Sequence, residues 1–266
     1  MHQYLFFIGD FPIRAYGLIL SLSIILATGV AYFLAQQDGR WHKHIPDMGI
    51  YCGLAGIVGA RLWDVFFFDW GYYQDHLWQI PFLWQGGMAI QGGVVMGALA
   101  GYIYTKVYKI DTWALADIIA PSIIIGQAIG RMANLLNGDA FGNPTGGNFG
   151  LVYPDTTLAY KAYGSQPLWP SEVWEGQIDI VIFALLLMAR TTKHAKGQIF
   201  VLYAILYSLS RFFLEFLRGD YATVALGLKS AQITSLAVIV IGSIIFLILG
   251  RRGKEETGNS VAQKKV

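Results

Sequence analysis

Seven long apolar runs constrain this chain more than any other feature. They lie at 14–36, 48–69, 87–108, 112–137, 172–190, 197–217 and 230–250. Crossing the hydrocarbon core of a bilayer takes roughly 20 residues of helix, because helices and closed barrels alone satisfy their own backbone groups there. Charged residues make up 14% of the chain and hydrophobic ones 55%, whereas soluble domains average about 25% charged. That excludes a disordered chain, a nucleic-acid-binding protein and an ordinary soluble enzyme. The expected fold is an all-α polytopic membrane protein with seven transmembrane helices, a single integral domain over residues 1–266. No basic stretch precedes the first run and no small-residue cleavage site follows it closely. It therefore reads as a retained span and not as a signal peptide. The chain's one cysteine, Cys52, lies inside a run and excludes an internal disulfide framework.

Basic residues set the orientation, since cytoplasmic loops carry an excess of Lys and Arg. One side holds Arg40, Lys43, Lys106, Lys109, Arg190, Lys193, Lys196, Arg251, Arg252, Lys254, Lys264 and Lys265; the other holds only Lys161, Arg218 and Lys229. This places the tail, 251–266, in the cytoplasm. With seven spans, the N-terminus is outside and the segment 138–171 becomes a small extracytoplasmic head.

Four arginines remain: Arg14, Arg61, Arg131 and Arg211, all within or at the ends of the runs. An arginine at mid-bilayer costs about 2.5–3.5 kcal/mol on insertion scales, so each needs a reason. Arg14 is near enough to a helix start to snorkel. Arg61 can pair with Asp64 on the next turn. Arg211 has Glu215 at i+4 and Tyr207 one turn earlier, while Arg131 has no acidic residue within a turn. Asn134 and Asn137 extend a polar stripe from Arg131 to the break at Gly138. Two uncompensated guanidinium groups converging at membrane depth suit a phosphate, which their forked donors match. Lipid headgroups are the commonest phosphates there. Glycines at small-xxx-small spacing, Gly93, Gly97 and Gly101 or Gly126 and Gly130, read as sites of close helix packing. No metal-ligand motif is present, and neither a metal nor a cofactor is expected.

The segment 130–142, GRMANLLNGDAFG, resembles the signature of the prolipoprotein diacylglyceryl transferases. Further matches follow in family order: RAYG at 14–17, GARLWDVFF at 59–67, WQGGMAIQGG at 84–93, ADIIAPS at 116–122, PSEVWE at 170–175, YSLSRFFLEFLR at 207–218 and AQITSL at 231–236. The resemblance implies transfer of a diacylglyceryl group from phosphatidylglycerol to the lipobox cysteine thiol of a preprolipoprotein signal peptide. It further implies release of glycerol phosphate, a location in the bacterial plasma (inner) membrane, and a lipid bilayer but no nucleic acid as partner. It assigns catalytic roles to Arg131, Arg211, Asp139 and Tyr16. Arg131 and Arg211 also fall among the substrate-binding positions, with Asn134, Tyr207, Gln91, Gly142, Arg61 and Glu215.

Three motifs depart from the family pattern. Gln91 stands where the family often has histidine, Asp139 replaces the signature glutamate, and PSEVWE brings Glu172 and Trp174 in place of Gln and Tyr. Gln91 cannot act as a base, and none of the histidines His2, His42, His44, His76 and His194 falls inside a span. Two alternatives stay open: a paralogue with altered substrate or lost transfer activity, and a membrane transporter for an anionic solute.

The topology is directly testable. A reporter fused after Val266 should be cytoplasmic and one inserted at Gly147 extracytoplasmic. A tail found outside would reverse the orientation.

Overall fold

The computed structural model describes residues 1, 4–9, 11–220, 223–225 and 227–263. His2, Lys264 and Lys265, which entered the histidine inventory and the charge balance, lie outside the described residues. The chain is mostly helical, and each apolar run falls on a helix. These are α1 (Ala15–Gln37), α2 (Ile45–Trp63), α4 (Ile90–Val107), α5 (Thr112–Asn137), α7 (Ser171–Arg190), α8 (Gln198–Leu214) and α9 (Ser230–Gln263). Short helices α3 (Trp70–Tyr73) and α6 (Leu158–Tyr163) sit in the connections. Four segments are long and apolar enough to cross a membrane: Ala15–Gln37, His42–Phe68, Thr112–Asn137 and Ser230–Gly253. Gln198–Leu214 is apolar but shorter. Two small antiparallel hairpins, β1 (Tyr4–Ile8) with β2 (Phe11–Arg14) and β3 (Thr223–Ala225) with β4 (Leu228–Lys229), add to the expected all-helical plan. Arg14 ends β2, exposed, one residue before α1.

The chain divides into two compact units, residues 1–30 with 116–266, and residues 31–115. In the first, Ala120 and Ile124 of α5, Ile182 and Leu186 of α7 and Ile199 of α8 form a buried apolar cluster. A polar tie accompanies it. The buried Asp117 of α5 accepts the Gly197 N–H on Oδ2 at 2.6 Å and the Phe200 N–H on Oδ1 at 2.9 Å. It thus caps α8 from another helix, satisfying donors that a helix start leaves orphaned. Four residues on, Pro121 lies inside α5 and withdraws the N–H that would have bonded the Asp117 carbonyl.

The segment 138–171 folds over the end of α5 as a loop-rich subdomain. Phe141, Tyr153, Ala159 and Leu168 form its core. The side chain of Thr157 caps α6 by accepting the Tyr160 N–H. Gly138 turns the chain out of α5 at φ 71°, where any Cβ would collide with Thr157.

In the second unit, α2 packs closely on α4 through glycine. A Cβ at Gly92 would overlap the Gly59 carbonyl, and one at Gly59 would overlap Gly92 and Met96. The stripe read from sequence lies on this contact. Gly93 faces the Gly56 carbonyl, Gly97 the Cys52 carbonyl and Gly101 the Cys52 thiol. Gly126 of the first unit meets Ala27 of α1, but Gly130 has open space around its Cβ position, so spacing alone overstated its packing role.

Four stability outcomes follow, all readable as unfolding midpoints in mixed micelles. Gly92→Ala should cost about 1–3 kcal/mol through overpacking. Gly130→Ala should be neutral or stabilising by up to about 1 kcal/mol, since helix propensity rises and nothing is displaced. Asp117→Ala strips two N–H groups of a charged acceptor and should cost about 2–4 kcal/mol. Asp117→Asn, keeping one acceptor oxygen, should cost less. An unchanged midpoint in the alanine variant would remove the cap from the account of α8.

Candidate active site

Glu175, in the second turn of α7, has no exposed surface, and three cations from elsewhere in the chain converge on it. Arg131 of α5 donates from Nη2 to Oε1 at 2.5 Å. Arg211 of α8 donates from Nη1 to Oε2 at 3.0 Å, and Arg218, beyond the end of α8, lies 3.8 Å from the same oxygen. The Tyr207 hydroxyl sits between Arg131 and Glu175, 3.4 Å from each. The expectation of two uncompensated arginines is therefore corrected. They are compensated, by a carboxylate 44 and 36 residues away that no local pattern reveals. Glu175 is the final residue of the PSEVWE motif, which was the one available signal.

Arg211 also reaches Glu215 at 2.9 Å, the i,i+4 pair expected from sequence. Glu215 is buried and has a second cation, Lys229 of β4, at 4.0 Å. Lys229 donates to the carbonyls of Glu215 at 2.9 Å and Arg218 at 2.5 Å, and burial lowers its pKa below the ordinary lysine value against the pull of Glu215. Arg218 donates from Nε to Asp220 at 2.9 Å and from Nη2 to the other oxygen of the same carboxylate. Arg218 and Lys229 were counted as loop charges, but both are drawn into this cluster. One turn along α7 from Glu175, Asp179 is fully buried, and neither of its oxygens receives a hydrogen bond from the described residues.

A second chain of contacts leads from Arg131 into the head. Arg131 Nη1 donates to Asn134 Oδ1 at 3.4 Å. Asn134 donates to Asp139 Oδ1 at 2.7 Å and Asn137 to Oδ2 at 2.6 Å. The polar stripe thus closes on the signature carboxylate, and both asparagines fix it. Tyr16, near the start of α1, is within electrostatic reach of Asp139 and Arg131 and is partly exposed.

Gly142 joins this region to the end of α8. It bridges Arg218 in an antiparallel pair, flanked by Asn143 N–H to Leu217 O at 2.7 Å and Gly219 N–H to Phe141 O at 3.0 Å. A Cβ on Gly142 would overlap the backbone of Trp169, so glycine is required by space. Beneath it, Tyr153 donates its hydroxyl to the buried Glu172. Burial and then the Glu172 charge hold the Tyr153 phenol well above its ordinary pKa, so it remains a donor. Glu172, a departure from the family pattern, is thereby accommodated.

Gln91 and Arg61 belong to the other compact unit. Gln91 is exposed in the first turn of α4. Arg61 was expected to pair with Asp64 and to bind substrate. Its donors instead go to five backbone carbonyls of residues 79–87, and Asp64 Oδ2 receives no hydrogen bond from the described residues.

Tyr16, Arg131, Asn134, Asp139, Gly142, Tyr207, Arg211 and Glu215 therefore belong to one connected set of charges and hydrogen bonds within the first unit. Such a set offers guanidinium donors on separate helices, a fixed carboxylate and a close backbone approach, which together suit an anionic headgroup. Comparison with known proteins agrees. The family profile described as prolipoprotein diacylglyceryl transferase matches residues 3–248. A protein of Thermosynechococcus vestitus named phosphatidylglycerol–prolipoprotein diacylglyceryl transferase is 37% identical over 250 residues, covering 93% of this chain and 92% of its own. Proteins of the same name from Acaryochloris marina and Geobacillus kaustophilus are 37% and 34% identical, over 95% and 92% of this chain and 93% and 92% of theirs. With a family match over nearly the whole chain and relatives of this similarity, the chain belongs to the prolipoprotein diacylglyceryl transferase family.

Proposed function

We propose that this protein transfers the diacylglyceryl group of phosphatidylglycerol to the lipobox cysteine thiol of preprolipoproteins, releasing glycerol phosphate. The observation that carries the proposal is the convergence of Arg131 and Arg211, from different helices, on the two oxygens of one carboxylate. A carboxylate and a phosphate present similar oxygens to a guanidinium fork. Donors that hold Glu175 in the resting protein are thus oriented for a lipid phosphate.

In this reading the substrate thiol loses its proton, which ends on the released glycerol phosphate, and its sulfur attacks the glyceryl carbon that carries the phosphate. A C–S bond forms, the C–O bond breaks, and the electron pair departs on the phosphate oxygen. Arg131 and Arg211 stabilise the charge that builds there, the kind of preorganised term that often dominates catalysis. Asp139, with its amide donors Asn134 and Asn137, and Tyr16 complete the catalytic group. Asn134, Tyr207, Gly142, Glu215, Gln91 and Arg61 support substrate binding, Arg61 through the loop it holds. The protein acts as one integral domain with seven spans in the bacterial plasma membrane, the N-terminus and the head 138–171 outside and the tail 251–266 inside. The lipid then comes from the outer leaflet.

The test is a lipidation assay with purified protein, phosphatidylglycerol vesicles and a lipobox peptide, following thioether product and glycerol phosphate together. Arg131→Lys and Arg211→Lys keep charge but lose the fork, and each should lower turnover by roughly 10²-fold or more, by analogy with lost oxyanion donors. The double variant should be little worse than either single one, because one misplaced contact already misplaces the phosphate. Near-parental rates in a single variant at matched protein levels would take that arginine out of the site. No product from the parent protein would refute the proposed activity.

A further inference from the structure

Arg61 of α2 is 2% exposed and spends its donors on an irregular stretch of backbone. Nε donates to Ile80 O at 2.8 Å, Nη1 to Gly86 O at 2.5 Å and Gly87 O at 3.1 Å, and Nη2 to Gln79 O at 3.1 Å and Phe82 O at 3.5 Å. The guanidinium also lies over the Tyr73 ring at 4.9 Å. The end of the loop is tied to the same helix by Ala89 N–H to Ala60 O at 3.0 Å.

A loop in water needs no such device. Solvent satisfies its carbonyls, and burying a cation to do so costs several kcal/mol. In a bilayer the balance reverses. Irregular backbone is tolerated there only where protein groups satisfy it. The rest of the segment fits that setting. Phe66, Phe67, Phe68, Trp70, Trp78 and Trp84 are exposed, Trp78 and Trp84 at 65% each. The candidate span His42–Phe68 runs directly into them. No charged residue occurs from Leu77 to Thr105. Asp69 and Asp75, both exposed, precede the stapled part. Aromatic side chains of this kind collect where acyl chains meet headgroups.

We infer that the stapled loop 77–87, with the aromatic stretch 66–70 before it, is seated in the glycerol-ester zone of a phospholipid leaflet, Arg61 supplying the hydrogen bonds that water cannot. The seating of this loop is argued from its own contacts and stands or falls whether or not the transfer reaction does. It assigns Arg61 as a positioning residue for a lipid-facing loop.

The experiment uses the full chain with Cys52→Ala, reconstituted in vesicles of phosphatidylcholine and phosphatidylglycerol. Single spin labels at Trp78→Cys and Trp84→Cys are compared with one at the exposed Gly147→Cys of the head. Collision with oxygen, which partitions into lipid, is set against collision with a water-soluble nickel chelate. Oxygen should dominate at 78 and 84, and nickel at 147. Nickel dominating at 78 and 84 would put the loop in water and overturn the inference. Low collision with both reagents would mean that protein covers the loop, and would overturn it equally. Adding Arg61→Met should raise nickel access at 78 and 84 as the freed carbonyls draw water. Unchanged access in a folded Arg61→Met protein would refute the arginine's role, and if that variant fails to fold, the labels in the parent decide.

Discussion

A carboxylate with no exposed surface, set among apolar helices, needs cations around it. Losing water costs an ion several kcal/mol, and its partners return that only with good geometry. Glu175 meets the condition with Arg131, Arg211 and Arg218. Those three cations come from α5, from α8 and from the turn beyond α8. One side chain therefore ties three helices together and holds the turn that follows α8, with which Gly142 and Asn143 of the head are paired. Removing it would take from Arg131 its paired carboxylate, while Arg211 keeps Glu215 and Arg218 keeps Asp220.

The same helices are tied at a second level. Asp117 and Arg131 are separated by about 21 Å along α5, at 1.5 Å per residue. Asp117 reaches the start of α8, and Arg131 shares Glu175 with its last turn. Between the ties lie the apolar contacts of Ile124, Ile182 and Leu186. This arrangement suits a medium where apolar surface does not drive helices together, since lipid tails are as apolar as leucine. Polar ties with strict geometry set the register, and close packing fills the space between.

What the sequence discloses about this protein depends on how far a contact reaches. The apolar runs announce their helices to within a few residues, because length and composition are local. Arg211 with Glu215 is one turn of one helix, and it too can be read directly. Arg131 with Glu175 cannot, since the two residues lie on different helices and nothing near either points to the other. Arg61 shows a different gap. Asp64 is the visible partner, yet backbone carbonyls take the donors, and carbonyls carry no sequence signature. Gly130 errs the other way, since it has the spacing of a packing residue but no neighbour to pack on. The head's polar joints, Asn134 and Asn137 with Asp139, lie within a few residues of one another and extend a stripe that the sequence already displays.

The dispersed partnership around Glu175 has a consequence in time. Arg131 is made 44 residues before Glu175, and Glu175 36 residues before Arg211. At about 5–20 residues per second, the first interval alone lasts roughly 2–9 s. During it Arg131 is already in the growing chain while the carboxylate that will pair with it does not yet exist. Asp117 waits longer, its acceptors idle until residues 80 and 83 positions later are synthesised. Until α7 and α8 arrive, α5 carries an arginine without its paired carboxylate, which costs about 2.5–3.5 kcal/mol at mid-bilayer and less nearer the headgroups. A helix that is stable in the finished protein is, for those seconds, a span that crosses the bilayer at extra cost.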